Sequence, residues 1–154
     1  MRILDILKDD RFVASELTGS DKGAVLRELA EILAERFPEV DADRLVDVLW
    51  ERKKLGSTAI GDGIAIPHGK IPGLSGVIGM FARHPSGVDF ESLDGGPTRL
   101  FFLLVAPEES VGQHLKALAR VSRLLKDGDF RQRLIEAPGR KEIFELIRQE
   151  DERL

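Results

Sequence analysis

Leu100-Phe101-Phe102-Leu103-Leu104-Val105-Ala106 is the stretch on which the architecture turns. A strand with one wet face alternates apolar and polar residues. This run is apolar throughout, so it predicts a strand covered on both faces and therefore central in its sheet. Helical periodicity lies on either side of it along the chain, which reads as α/β. Ser20 or Asp21 can cap a helix from about Lys22 to Arg36, with Val25, Leu26, Leu29, Ile32 and Leu33 on one stripe and Pro38 ending it. Asp41 or Asp43 opens a second helix through Leu45, Val46, Val48 and Leu49 to about Lys54, before Gly56 breaks the pattern. After Pro107, helices are expected from about Val111 to Lys126, from Asp127 to Glu136 and from Lys141 to Arg148, with Pro138-Gly139 between the last two. Gly76 to Ala82 is the other strong strand candidate, and Phe12-Val13-Ala14 is a plausible first strand. Ile3, Leu4, Ile6 and Leu7 fit a short amphipathic turn, and Asp89 to Pro97 is turn-rich. His84, next to Pro85, reads as a surface histidine because it lacks the glycine or hydroxyl company of a phosphate cradle.

A chain of 154 residues is the size of one domain and buries roughly 70% of the surface its unfolded form exposes. With 42% hydrophobic and 32% charged residues it has an ordinary globular composition. A net charge of −4 supplies no broad basic face, so a nucleic-acid partner is not expected. There is no cysteine, which excludes disulfides, thiolate catalysis and cysteine metal sites. Met1 to Asp10 has no long apolar core or small-residue cleavage site, and no apolar run nears twenty residues. The expectation is a cytoplasmic protein with no direct membrane insertion.

Gly61-Asp62-Gly63-Ile64-Ala65-Ile66-Pro67-His68-Gly69-Lys70 presents one imidazole at the end of a short apolar run. Ile64, Ala65 and Ile66 suit a pleated, buried surface and glycines stop the run, which reads as chain leaving a packed sheet. Pro67 fixes φ and stiffens the residue that follows. Gly69 lacks a Cβ, so its N–H can approach a ligand closely. A histidine so held suits binding or carrying an anion, whereas Pro-His-Gly taken alone is only a turn signal. Arg52 falls in the last turn of the second helix, from which its long fork can reach back over whatever His68 carries. In the third helix His114, Leu118, Val121 and Leu125 share one face. On that pattern alone His114 is a core-edge histidine tied to a backbone carbonyl.

The longer string from Arg52-Lys53-Lys54-Leu55-Gly56-Ser57-Thr58-Ala59-Ile60 through Ile66-Pro67-His68-Gly69-Lys70 resembles the active-site signature of a known family. That family is the enzyme IIA family of the bacterial phosphoenolpyruvate phosphotransferase system, in its fructose–mannitol–nitrogen branch. Glu109-Ser110-Val111-Gly112-Gln113-His114-Leu115 looks like its second histidine motif, and the resemblance runs from about Val13 to Ile147. It implies an α/β fold, a mixed β-sheet flanked by α-helices on both sides, in one type-2 IIA domain spanning residues 1–154. It also implies a phosphohistidine at His68, with His114 as the supporting imidazole and Arg52 as the arginine ahead of the site. The donor it implies is a phosphohistidine protein of the HPr type. Asp62 stands where mannitol-type relatives carry Glu. The Ile66-Pro67-His68-Gly69-Lys70 spelling is most similar to the nitrogen-related branch, whose members act as phosphorylation-dependent regulators that dock on target proteins.

The chemistry asks little beyond these residues. His68 needs one ring nitrogen unprotonated and exposed, with the other N–H held by an acceptor so that the reactive tautomer is set. Transfer is then mostly positioning and stabilising charge over three oxygens. The stabilisers expected are His114, Arg52, the hydroxyls of Ser57 and Thr58, and backbone N–H near Gly69. Asp62 would orient a donor rather than touch a group carrying nearly two negative charges. No metal and no cofactor is needed. Three alternatives stand beside this one. The chain can be read instead as a IIA component passing the group to a IIB of a fructose- or mannitol-type transporter, as a binding module without covalent chemistry, or as a zinc hydrolase built from His68, His114 and Asp62.

Overall fold

After 3-10 turns at Ile3–Asp5 and Asp10–Phe12, the chain runs through β1 (Val13–Ala14), α1 (Lys22–Arg36), α2 (Ala42–Lys54), β2 (Ala59–Gly61), β3 (Ile64–Ala65) and β4 (His68–Ile71). It continues through β5 (Ile78–Val88), β6 (Thr98–Pro107), α3 (Gly112–Leu124), α4 (Gly128–Glu136) and α5 (Arg140–Arg153). The computed structural model describes residues 1–54, 59–110 and 112–154, apart from the side chains of 52–54, 59 and 60.

The strands form one mixed sheet in the order β1-β5-β6-β3-β2, with β4 also paired to β6. β6 is central, as its composition requires. It runs antiparallel to β5 and parallel to β3 and β4. Successive side chains of a strand point to opposite faces, and β6 splits accordingly. Leu100, Phe102 and Leu104 pack with Ala117, Val121, Leu134 and Ile147 of α3, α4 and α5. Phe101, Leu103 and Val105 pack with Leu26, Leu29, Leu45 and Leu49 of α1 and α2. Helices therefore cover both faces, and the domain has the expected α/β architecture.

Local signals set the helix starts. Asp21 accepts from the Ala24 N–H at 2.8 Å to cap α1, and Asp41 accepts from the Asp43 N–H at 2.9 Å at the head of α2. The first strand is shorter than Phe12-Val13-Ala14 suggests, because Phe12 closes a 3-10 turn. β5 runs past Ala82 to Val88, and its register with β6 shifts between Arg83 and Val88. Pro85 falls in that irregular stretch, where a missing N–H costs no ladder bond.

Two expectations are corrected. His84 is not a surface residue: only 7% of it is exposed, and its Nε2 donates to the Gly19 carbonyl at 2.8 Å. The loop ahead of α1 folds over it, a contact between segments 65 positions apart. α5 also continues beyond Arg148 to Arg153. Within that extension Asp151 is only 1% exposed. Its carboxylate accepts from the Ile3 N–H at 3.1 Å and from Arg120 Nη2 at 2.8 Å, tying the N-terminal turn to α3 and α5.

Candidate functional site

β2 and β3 form a hairpin whose turn residues Asp62 and Gly63 have φ of 57° and 76°. Positive φ at both central positions is the turn that matches strand twist, and Asp-Gly suits it. The chain then does not leave the sheet. Ile64 lies opposite Leu100 and His68 opposite Leu104, so β3 and β4 keep one register along the same edge of β6. The Leu100 and Leu104 N–H groups donate to the Gly63 and Pro67 carbonyls, each at 3.0 Å. In that alternation the next rung would come from the nitrogen of Pro67, which has no hydrogen. The ladder breaks there and resumes at His68, which opens β4 rather than sitting in a loop.

His68 is half-buried, and its Nδ1 lies 2.6 Å from the carbonyl oxygen of Ile66. A carbonyl only accepts, so Nδ1 carries the hydrogen and Nε2 carries the lone pair. The sequence called for an acceptor without revealing which; it is the residue on the far side of Pro67. His114, in the first turn of α3, is 8% exposed, and its ring centroid lies 5.5 Å from that of His68 at an interplanar angle of 48°. α3 packs on β6 through Ala117 and Val121, which brings its N-terminal end, with its partial positive charge, beside the imidazole pair.

The other residues named from sequence fall differently. Gly69 has no room for a side chain: a Cβ there would lie 2.5 Å from Val48 Cγ1 of α2. The strand alternation turns its N–H toward β6, so the glycine serves helix-on-strand packing rather than ligand approach. Asp62 is exposed at the hairpin tip, beyond Ile64, which itself lies about 13 Å of strand from His68 on a rise of roughly 3.3 Å per residue. Its N–H donates to Asp94 Oδ2 at 3.0 Å, so it joins the 89–97 loop rather than the imidazoles. Asp94 also accepts from the Ser92 hydroxyl at 2.7 Å and the Gly96 N–H at 3.0 Å. These bonds, Ser92 first, hold the Asp94 carboxyl at about 2. Arg52 falls on the backbone of α2, one turn past Val48. Its side chain, and Ser57 and Thr58 altogether, lie outside the described residues. Among the described residues no group of three or more His, Asp or Glu gathers as a metal-ligand set, and no helix is long and apolar enough to cross a membrane.

An imidazole of defined tautomer at a strand edge, facing a second imidazole on a helix N-terminus, defines a histidine-centred α/β domain. The family model of the phosphoenolpyruvate-dependent sugar phosphotransferase system EIIA 2 matches residues 5–150, and the chain belongs to that family. It is 42% identical over 147 residues to a nitrogen regulatory protein of Bradyrhizobium diazoefficiens, covering 96% of this chain and 95% of that one. It is 34% identical over 151 residues to the fructose-specific EIIABC component of Bacillus subtilis, covering 98% of this chain but 24% of that longer protein. The crystal structure of nitrogen regulatory protein IIA-Ntr from Neisseria meningitidis superposes with a TM-score of 0.83 at 28% identity, over 90% of this chain and 94% of that one.

Proposed function

We propose that this protein is a phosphoryl carrier of the nitrogen-type phosphotransferase system. It accepts the group on His68 from a phosphohistidine donor of the HPr type and acts as a phosphorylation-dependent regulator. The observation that carries this reading is the Nδ1–H of His68 bound to the Ile66 carbonyl, with the His114 ring packed against the same imidazole. The Nε2 lone pair attacks phosphorus, the donor's P–N bond breaks, and its electron pair returns to the donor ring. The Nδ1 hydrogen stays on His68, where the Ile66 carbonyl supports the positive charge that the ring gains as the new P–N bond forms.

His114 and the N-terminal end of α3 stabilise the phosphoryl oxygens, and Arg52, Ser57 and Thr58 are proposed to add a cation and two hydroxyls. Two negative charges on a surface that also exposes Leu115 would switch partner affinity by pairing or repulsion. The relatives named nitrogen regulatory protein support the regulatory branch. The fructose-specific relative supports a second reading, transfer onward to a IIB acceptor.

Incubation with phosphoenolpyruvate, the first phosphotransferase enzyme and HPr should place acid-labile phosphate on the wild type and none on His68→Ala. Label persisting in His68→Ala would overturn the site. Pull-downs with wild type, His68→Ala and His68→Asp separate the branches. A regulatory protein captured in one phosphorylation state supports regulation, and a IIB taking the phosphoryl group supports transport.

A further inference from the structure

β4 sorts its side chains to two faces. Gly69 faces α2, as its clearance from Val48 demands, and Ile71 belongs to the core beneath α1 and α2. His68 and Lys70 therefore leave the strand on the opposite face, toward α3. The register agrees. Leu104, opposite His68, packs with Ala117 and Val121 of α3, and Lys70 lies opposite Ala106 on the same side. Same-face residues two apart on a strand have Cβ atoms about 6.5–7 Å from each other, a span that a lysine stem covers.

Lys70 is half-buried, and no carboxylate of the described residues pairs with it. The ordinary role of such a lysine is to lay its stem along the strand with its ammonium in water. Here the cation stands one same-face position from the imidazole that is to carry two negative charges.

Resting on the phosphocarrier reading, we propose that the Lys70 ammonium contacts the phosphoryl oxygens on His68 Nε2 and stabilises the phosphorylated state. This adds to the site a contact residue supplied by the same strand as the acceptor. Because the two side chains share one strand, the contact needs no movement of a helix or loop.

Phosphoramidate tests this without a protein donor: its P–N bond breaks as the bond to Nε2 forms, and ammonia leaves. Wild type, Lys70→Ala and Lys70→Arg are loaded to equilibrium, and the phosphoryl group is titrated by phosphorus NMR. Lys70→Ala should raise the titration midpoint by about 0.5–1 pH unit. It should also lower equilibrium occupancy by up to about fivefold, the size of an exposed ion pair, and Lys70→Arg should restore both. Unchanged midpoint and occupancy in a loaded Lys70→Ala protein would overturn the contact and leave the His68 carrier standing. Slower loading from HPr with an unchanged midpoint would make Lys70 a donor-docking residue and overturn it as well. No acid-labile phosphate on wild-type His68 would overturn the carrier reading and the lysine contact together.

Discussion

The Nδ1 of His68 lies 2.6 Å from the carbonyl oxygen of Ile66, two residues back across Pro67. The proline holds that geometry, since its ring restricts φ and the sheet on either side sets the direction of the chain. In the unphosphorylated protein, above the ring's titration, nitrogen NMR should show His68 as the Nδ1–H tautomer. Pro67→Gly should blur that signature toward a tautomer mixture and cost about 0.4–1 kcal/mol through unfolded-state entropy. An Nε2–H tautomer in the wild type would remove the physical basis for attack at Nε2.

Gly69 is packed against α2 so closely that any side chain meets Val48. Gly69→Ala should destabilise by about 1–3 kcal/mol, the usual cost of overpacking. In Val48→Ala the same change should be nearly harmless, because the obstructing methyl is gone. Denaturant melts of the four proteins measure the coupling, and additive costs would contradict this account of the glycine.

Asp151 is held by Arg120, Ile3 and Leu4, with its side chain fully buried. Asp151→Ala strands the Arg120 charge and two backbone donors. The expected loss is about 3–5 kcal/mol, or roughly 10 °C in melting temperature for a chain of this size. A shift under about 2 °C by calorimetry would show that the N-terminal turn is not anchored there.

The Asp94 carboxyl is depressed to about 2 by the Ser92 hydroxyl and then by the Gly96 and Asp62 N–H groups. A folded value below the unfolded one means that its stabilisation is complete above about pH 4 and is lost as pH falls through 2. The amide resonances of Asp62 and Gly96 should therefore titrate together in acid with a midpoint near 2. In Asp94→Asn that common titration should vanish; its survival would point to another group.

What the chain shows residue by residue is repeated locally. The all-apolar run Leu100–Ala106, the 3.6-residue stripes of α1 and α2 and their caps, narrowed to Ser20 or Asp21 and to Asp41 or Asp43, were legible because each depends on neighbours within a few positions. The two imidazoles were legible as well, through motif spelling rather than periodicity.

Other features needed the folded molecule, for one physical reason: they join segments far apart in the chain, and no local pattern reports a contact that packing alone creates. Val48 meeting Gly69, Gly19 covering His84, Asp94 taking up Asp62 and Asp151 anchoring Ile3 are all of this kind. The sequence by itself determined a doubly covered α/β sheet and a histidine presented at the end of a short apolar run. Only the tertiary structure decided which carbonyl holds that ring, how the His114 ring packs against it and which side of β4 its neighbour Lys70 shares.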